Sequence, residues 1–211
     1  MRGKPYRFKD FYSYDHDTTI GTAPTGVTVG SRGVEWNEFI ADGAIGTDGG
    51  ALGGITGKGF VYSTTNTSPT IGGSNVTQVT DGTGMANFSE TLPPSGNFSN
   101  CQTVYVRAYA TNSLGTTYSS TISVQTTRRP HTFKYVAGKF GGLAVCSSSD
   151  TVTLYAQSDN STNLVIQQEV DVYTSATCGD SSQPSGTIWY SDGFHKGRWN
   201  GSSWSLVDSC I

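Results

Sequence analysis

Three histidines, sixteen carboxylates, four cysteines and four tryptophans are the chemically versatile side chains of this 211-residue chain. The histidines, His16, His131 and His195, fall one to each of the three segments into which the sequence divides. Asp15-His16-Asp17 carries metal-ligating types, but three consecutive residues rarely fill one coordination sphere without distant partners, so no metal is assigned. His195, between Phe194 and Lys196 in a predicted turn, reads as a surface residue before a general base. Serine is abundant, yet no G-x-S-x-G nucleophile turn occurs. Gly54-Ile55-Thr56-Gly57-Lys58 is followed by Gly59 rather than Ser or Thr, so it is not a phosphate loop. Sixteen acids single out no pair at glycosidase spacing before a fold is known. The reading is of a protein that is not an enzyme, with no catalytic residue, no metal and no cofactor.

The cysteines stand at 101, 146, 178 and 210, widely spaced and with no C-x-x-C pair, which argues against zinc. Free, buried or half-buried thiols are the first expectation. A disulfide among Cys146, Cys178 and Cys210 is the alternative if the mature protein lives outside cells. Trp189, Trp199 and Trp204 admit glycan contact, because indole faces stack on pyranose rings. Core packing of a small β-module is the plainer reading. The Asn-x-Ser/Thr triplets at Asn75, Asn87, Asn97, Asn160 and Asn200 arise by chance in so hydroxyl-rich a chain, and none is read as glycosylated.

The first segment, residues 1–24, interleaves Arg2, Lys4, Arg7 and Lys9 with Tyr6, Phe8, Phe11, Tyr12 and Tyr14. Such a ring-rich arm is poorly solvated alone. It reads as a docking arm that buries those five rings on another protein, at ~25 cal/mol per Å² of apolar surface. Folding back on its own domain and nucleic-acid contact are the lesser readings. These opening residues hold no continuous apolar stretch of the kind a secretory signal has, which predicts folding in the cytosol of the producing cell.

The elements that position these groups are short strands. Charged residues are 14%, Gly numbers 27, and Ser plus Thr make up about a quarter of the chain. Aromatics at 11% exclude simple disorder. A net charge of −3 and a pI near 5.5 argue against a general nucleic-acid binder. No apolar run nears the ~18–20 residues of a membrane-spanning helix, so no membrane insertion is expected. Residues 25–127 carry about seven short apolar runs with turn signals every ten or so residues, the pattern of a β-sandwich. The Gly-rich run 43–57 is predicted to be a flexible loop. In Val104–Ala110, Val104, Val106, Ala108 and Ala110 share one face and are assigned inward. Tyr105 is the candidate for a tyrosine corner, a hydroxyl closing the preceding turn. Arg128-Arg129-Pro130 reads as a short stiff linker. Residues 131–211 read as a small C-terminal β-domain whose last hairpin turns at Asn200-Gly201.

Gly59-Phe60-Val61-Tyr62-Ser63-Thr64-Thr65, then Gly82-Thr83-Gly84 with Phe88, then the run Tyr105–Tyr118 resemble the fibronectin type III-like (Ig-like) modules of Bacteroidota surface proteins and their phages. The likeness covers roughly residues 30–127. It departs at the long 43–57 loop and at Ser99–Thr103, where the usual Gly-Thr is absent. The C-terminal segment resembles, more weakly, a small β-module of proteins from the same bacteria and phages. The fold expected is therefore all-β: an Ig/fibronectin III-like sandwich plus a small β-domain, behind an extended arm.

What the resemblance implies is a structural virion protein: a decoration, fibre or tail-accessory subunit. Its arm would dock on capsid or tail proteins and its modules would project for adhesion, with a host surface glycan as an outer partner and homo-oligomerisation open. The alternative is a secreted bacterial carbohydrate-binding or adhesin module, located at the cell surface or outside the cell.

Overall fold

The computed structural model describes residues 21–137, 144–156, 172–186, 188–192 and 194–210. The arm residues Tyr6, Phe8, Phe11, Tyr12 and Tyr14, with His16, lie outside them, as does the expected strand at Leu164-Val165-Ile166. The described chain is all-β, with antiparallel sheets in two lobes.

In the N-terminal lobe one sheet has the order β1 (Thr28–Arg32), β2 (Phe39–Ala44), β5 (Phe88–Leu92). The other runs β4 (Thr77–Gly82), β3 (Gly57–Ser63), β6 (Thr103–Asn112), with β7 (Gly115–Tyr118) and β8 (Ile122–Gln125) sharing the far edge of β6. The two sheets enclose one core, so the lobe is a β-sandwich. The two-residue period of β6 sorts its faces as expected: Val104, Val106, Ala108 and Ala110 are fully buried. Each buried valine or phenylalanine contributes ~1.5–3 kcal/mol. Large side chains sit over small ones. Phe60 pairs with Ala108, and Phe88 covers Gly43, where a Cβ would stand 2.3 Å from the ring. β7 and β8 are one expected strand broken at Ser119, whose hydroxyl accepts the Ala108 N–H at 3.0 Å.

The turn before β6 is not closed by Tyr105, which among the described residues makes no side-chain hydrogen bond to it and lies on the outer face of the strand. Gln102 and Thr126 close it instead. Gln102 Oε1 accepts the Ser99 N–H at 3.0 Å, and the Thr126 hydroxyl donates to the Ser99 carbonyl at 2.7 Å. Nor is 43–57 a floppy loop. Ile45, Ala51 and Ile55 are buried, and Thr22 N–H donates to the Gly49 carbonyl at 2.8 Å. Asn112 ties this end together: its amide nitrogen donates to the carbonyls of Thr22 and Asp48, at 2.7 and 2.8 Å. The Gly residues let the loop and the strap 21–25 approach closely. At Gly49 (φ 75°) a Cβ would lie 2.1 Å from the Thr22 carbonyl oxygen.

The C-terminal lobe is a six-stranded sheet in the order β11 (Val172–Tyr173), β10 (Thr151–Ala156), β9 (Arg129–Ala137), β12 (Ile188–Ser191), β13 (His195–Trp199), β14 (Trp204–Ser209). Its core is an edge-to-face chain of rings, Phe133–Tyr190–Trp204–Trp199, with successive centroids 6.0, 5.8 and 5.3 Å apart. The final hairpin forms as expected, but over residues 200–203. Asn200 Oδ1 accepts the N–H groups of Ser202 and Ser203, making a longer turn than Asn-Gly alone.

The expected linker at 128–130 is structured. β9 begins at Arg129, and Pro130 pairs with Tyr155 of β10. Proline is tolerated because the Tyr135 N–H donates toward β10, to Asp150. Five residues earlier the backbone faces the opposite edge, where β12 pairing begins only at Lys134.

The thiol expectation is overturned: all four cysteines are paired, Cys101 with Cys178 and Cys146 with Cys210. The first bond joins the two lobes. Spacing did not foresee it because the partners stand 77 residues apart and meet only when β11 returns to the sandwich. Arg128 reinforces the seam. It is buried, stacks 3.6 Å from the Tyr173 ring centroid, and donates to the carbonyls of Ser175 and Asp180. Asn100 also donates across the seam to the Ala156 carbonyl at 3.0 Å.

Candidate functional site

At this seam three chain segments wall a cavity of about 340 Å³, lined by Trp36, Asn97, Phe98, Ser99 and Arg129. Trp36 comes from the β1–β2 connection. That connection is held by a Glu35–Glu38 backbone bond and by Thr127 N–H donating to the Glu35 carbonyl at 3.0 Å. Asn97–Ser99 come from the β5–β6 connection, pinned by Phe98 N–H on the Asn37 carbonyl at 2.9 Å and by the Gln102–Thr126 closure. Phe98 roots it in the core, stacked 5.7 Å from Phe39 and edge-on to Tyr62. Arg129 opens β9.

The side chains are arranged for polar recognition beside a flat apolar surface. The Arg129 guanidinium lies 4.5 Å from the Trp36 ring centroid, a cation–π pairing that holds both groups at the rim. Asn37 donates to Asn97 Oδ1 at 2.9 Å, which orients the Asn97 amide. Asn97 and Ser99 are exposed, and Trp36 and Arg129 are half-buried. Two residues along β9, His131 is buried. Burial, aided by the charge of Arg129, lowers its pKa from 6.5 to about 4, so it is neutral at physiological pH.

Two further cavities differ in kind. One, about 350 Å³, lies beside Asp42, whose carboxylate is held by Ser89 and Arg32. The Ser89 hydroxyl and Arg32 draw the Asp42 pKa below its usual range. The other, about 190 Å³, is lined by Val27, Thr28, Val29, Ser119, Ser120 and Ile122. Of the three, the seam cavity alone joins an aromatic face, a cation and an amide.

The expected glycan contacts sit elsewhere. Trp189, Trp199 and Trp204 are all buried, and the Trp199 indole N–H donates to the Pro184 carbonyl at 2.9 Å. Trp199 and Trp204 pack in the C-terminal core, because a lobe this small needs large rings inside, whereas Trp189, next to Tyr190 on β12, is buried outside that cluster. His195 Nδ1 stands 3.5 Å from Asp192 Oδ2 in the β12–β13 turn. Among the described residues no three His, Cys, Asp or Glu side chains gather closely enough to hold a metal ion. Sequence reading did not single out Trp36. It stands in the irregular β1–β2 connection, before β2 begins at Phe39, where no strand alternation assigns a side chain to a face. No protein-family model matches this chain, and no curated protein matches it.

Proposed function

We propose that this chain is a structural virion protein of a phage, a decoration, fibre or tail-accessory subunit that serves adhesion rather than catalysis. The observation that carries the reading is the placement of the two ends of β6. At its Asn112 end the strap at Thr22 is held, so the segment 1–20 joins the lobe there. At its Thr103 end lies the seam, with Cys101 bonded to the second lobe. Ten residues of strand set these ends ~30 Å apart. Such a part presents an attachment point at one pole and a second module, rigidly coupled, at the other. The strand order of the sandwich, β1-β2-β5 facing β4-β3-β6 with β7 and β8, supports the fibronectin III-like resemblance.

The test is a chain lacking residues 1–20, produced in the phage's host. The truncated protein is expected to remain folded by near-ultraviolet circular dichroism yet be missing from banded particles that contain the full chain. Incorporation of both forms, or of neither, overturns the reading.

The two disulfides favour a second reading, a secreted bacterial adhesin, since such bonds persist in oxidising surroundings. A virion released into the medium meets the same condition. Surface labelling of intact cells without phage particles would select the adhesin.

A further inference from the structure

We propose that the seam cavity is a glycan site that takes a single pyranose ring, with Trp36 as the stacking platform and Arg129, Asn97 and Ser99 as hydroxyl readers. This deepens the adhesion reading above and rests on it.

The volume, about 340 Å³, is at the lower end of small-ligand sites and suits one sugar ring rather than a long chain. A pyranose presents an apolar C–H face and a rim of hydroxyls. It therefore calls for an aromatic plane edged by fork-shaped donors. One face of the Trp36 indole carries the Arg129 guanidinium, and the sugar stacks on the other. The planar guanidinium of Arg129 carries five N–H donors, the Asn97 amide offers its nitrogen as donor while its oxygen is shared with Asn37, and the Ser99 hydroxyl both donates and accepts.

Preorganisation supports the assignment. Arg129 is held over Trp36 at 4.5 Å, Asn97 is oriented by Asn37, and the Ser99 backbone is bonded on both sides, so little side-chain freedom is lost on binding. The site also spans both lobes, since Trp36, Asn97 and Ser99 belong to the sandwich and Arg129 to the second sheet. Their coupling through Cys101–Cys178 holds its two walls in register.

Trp36 provides its own readout. The other three tryptophans are buried, so acrylamide quenching reports chiefly on Trp36. The full chain is titrated with lactose, cellobiose, mannobiose, N-acetylchitobiose, 3′-sialyllactose and a glucuronate disaccharide, up to about 10 mM, the range of weak single-site sugar binding. At least one is expected to shield the indole and to give a saturable isotherm by calorimetry. Trp36→Ala and Arg129→Gln are expected to weaken calorimetric binding at least tenfold, and Asn97→Leu, an exposed change, several-fold. Thermal melts confirm that each variant is folded. If Trp36→Ala or Arg129→Gln is not folded, Asn97→Leu and Trp36→Phe decide, the latter expected to retain part of the affinity. The proposal is overturned if none of the six sugars binds, or if binding is undiminished in the folded variants. Adhesion of the full chain to host cells is measured in parallel. Cell binding that survives Trp36→Ala removes this site but leaves the adhesion reading standing. Absence of cell binding by the unaltered chain removes the adhesion reading and leaves the sugar titration to judge the cavity.

Discussion

A methyl group on Gly43 would sit 2.3 Å from the buried ring of Phe88, whereas one on Gly30 would meet nothing within 4 Å. Both lie on paired strands of the same sheet. Gly43→Ala is therefore expected to cost ~1–3 kcal/mol as the ring is displaced into a filled core. Gly30→Ala is expected to be neutral or stabilising by a few tenths of a kcal/mol, since it restricts only the unfolded chain. Urea unfolding of the two variants measures the contrast. His131 gives a second residue-level expectation. Its folded pKa is near 4 against 6.5 when free, so between those values the unfolded chain takes up a proton that the folded chain refuses. Stability has its full value from this group above pH 6.5, declines as the pH falls toward 4, and changes no further below. His131→Gln should flatten that part of the stability profile, and a slope equal to that of the unaltered protein would refute the assignment.

Among elements, the 43–57 loop depends on one amide. Asn112→Ala removes both donors to Thr22 and Asp48 and the acceptor that caps Leu114 and Gly115. A cost of ~1–3 kcal/mol is expected. Hydrogen exchange should accelerate at Thr22 and Gly54, whose N–H groups bond within this corner, while β6 stays protected. The same loop shows where the sequence stops being readable. The alternation of β6 is local, so Val104 to Ala110 could be sorted by inspection. The order of the Gly-rich run comes from partners 90 and 64 residues apart in sequence, and glycine itself records nothing about them. The Cys101–Cys178 pairing was hidden for the same reason, whereas Cys146–Cys210 falls within the alternative read among Cys146, Cys178 and Cys210. Trp36 was hidden by a different one: it stands in a connection, where no two-residue alternation sorts its side chain. In the second lobe, where one sheet carries most of the apolar rings, Trp199 and Trp204 mark the core.

At the scale of the molecule the seam decides whether two lobes behave as one. Cys101–Cys178 closes a 77-residue loop, and a cross-link of that span stabilises by ~2–4 kcal/mol. Arg128 and Asn100 add hydrogen bonds to the same seam. Calorimetry of the oxidised chain is expected to show a single transition. Cys101→Ser/Cys178→Ser should unfold in two steps, with the C-terminal lobe first, because among the described residues its sheet has no facing second sheet. A single unshifted transition in that variant would show that the covalent bond contributes nothing to coupling.

The clasp also governs how the protein bears load. If tension enters through the strap at one end and leaves through the C-terminal lobe, the covalent path leaps from residue 101 to residue 178. Strands β6 to β11 lie inside that shortcut, and the second bond, Cys146–Cys210, limits how far they can be drawn out by a pull on the chain ends. Reduction would release ~250 Å of hidden contour. Such a tether gives way early in its leading lobe, whose strands β1 to β5 lie outside both bonds, and lengthens far less beyond residue 101 while the connections hold.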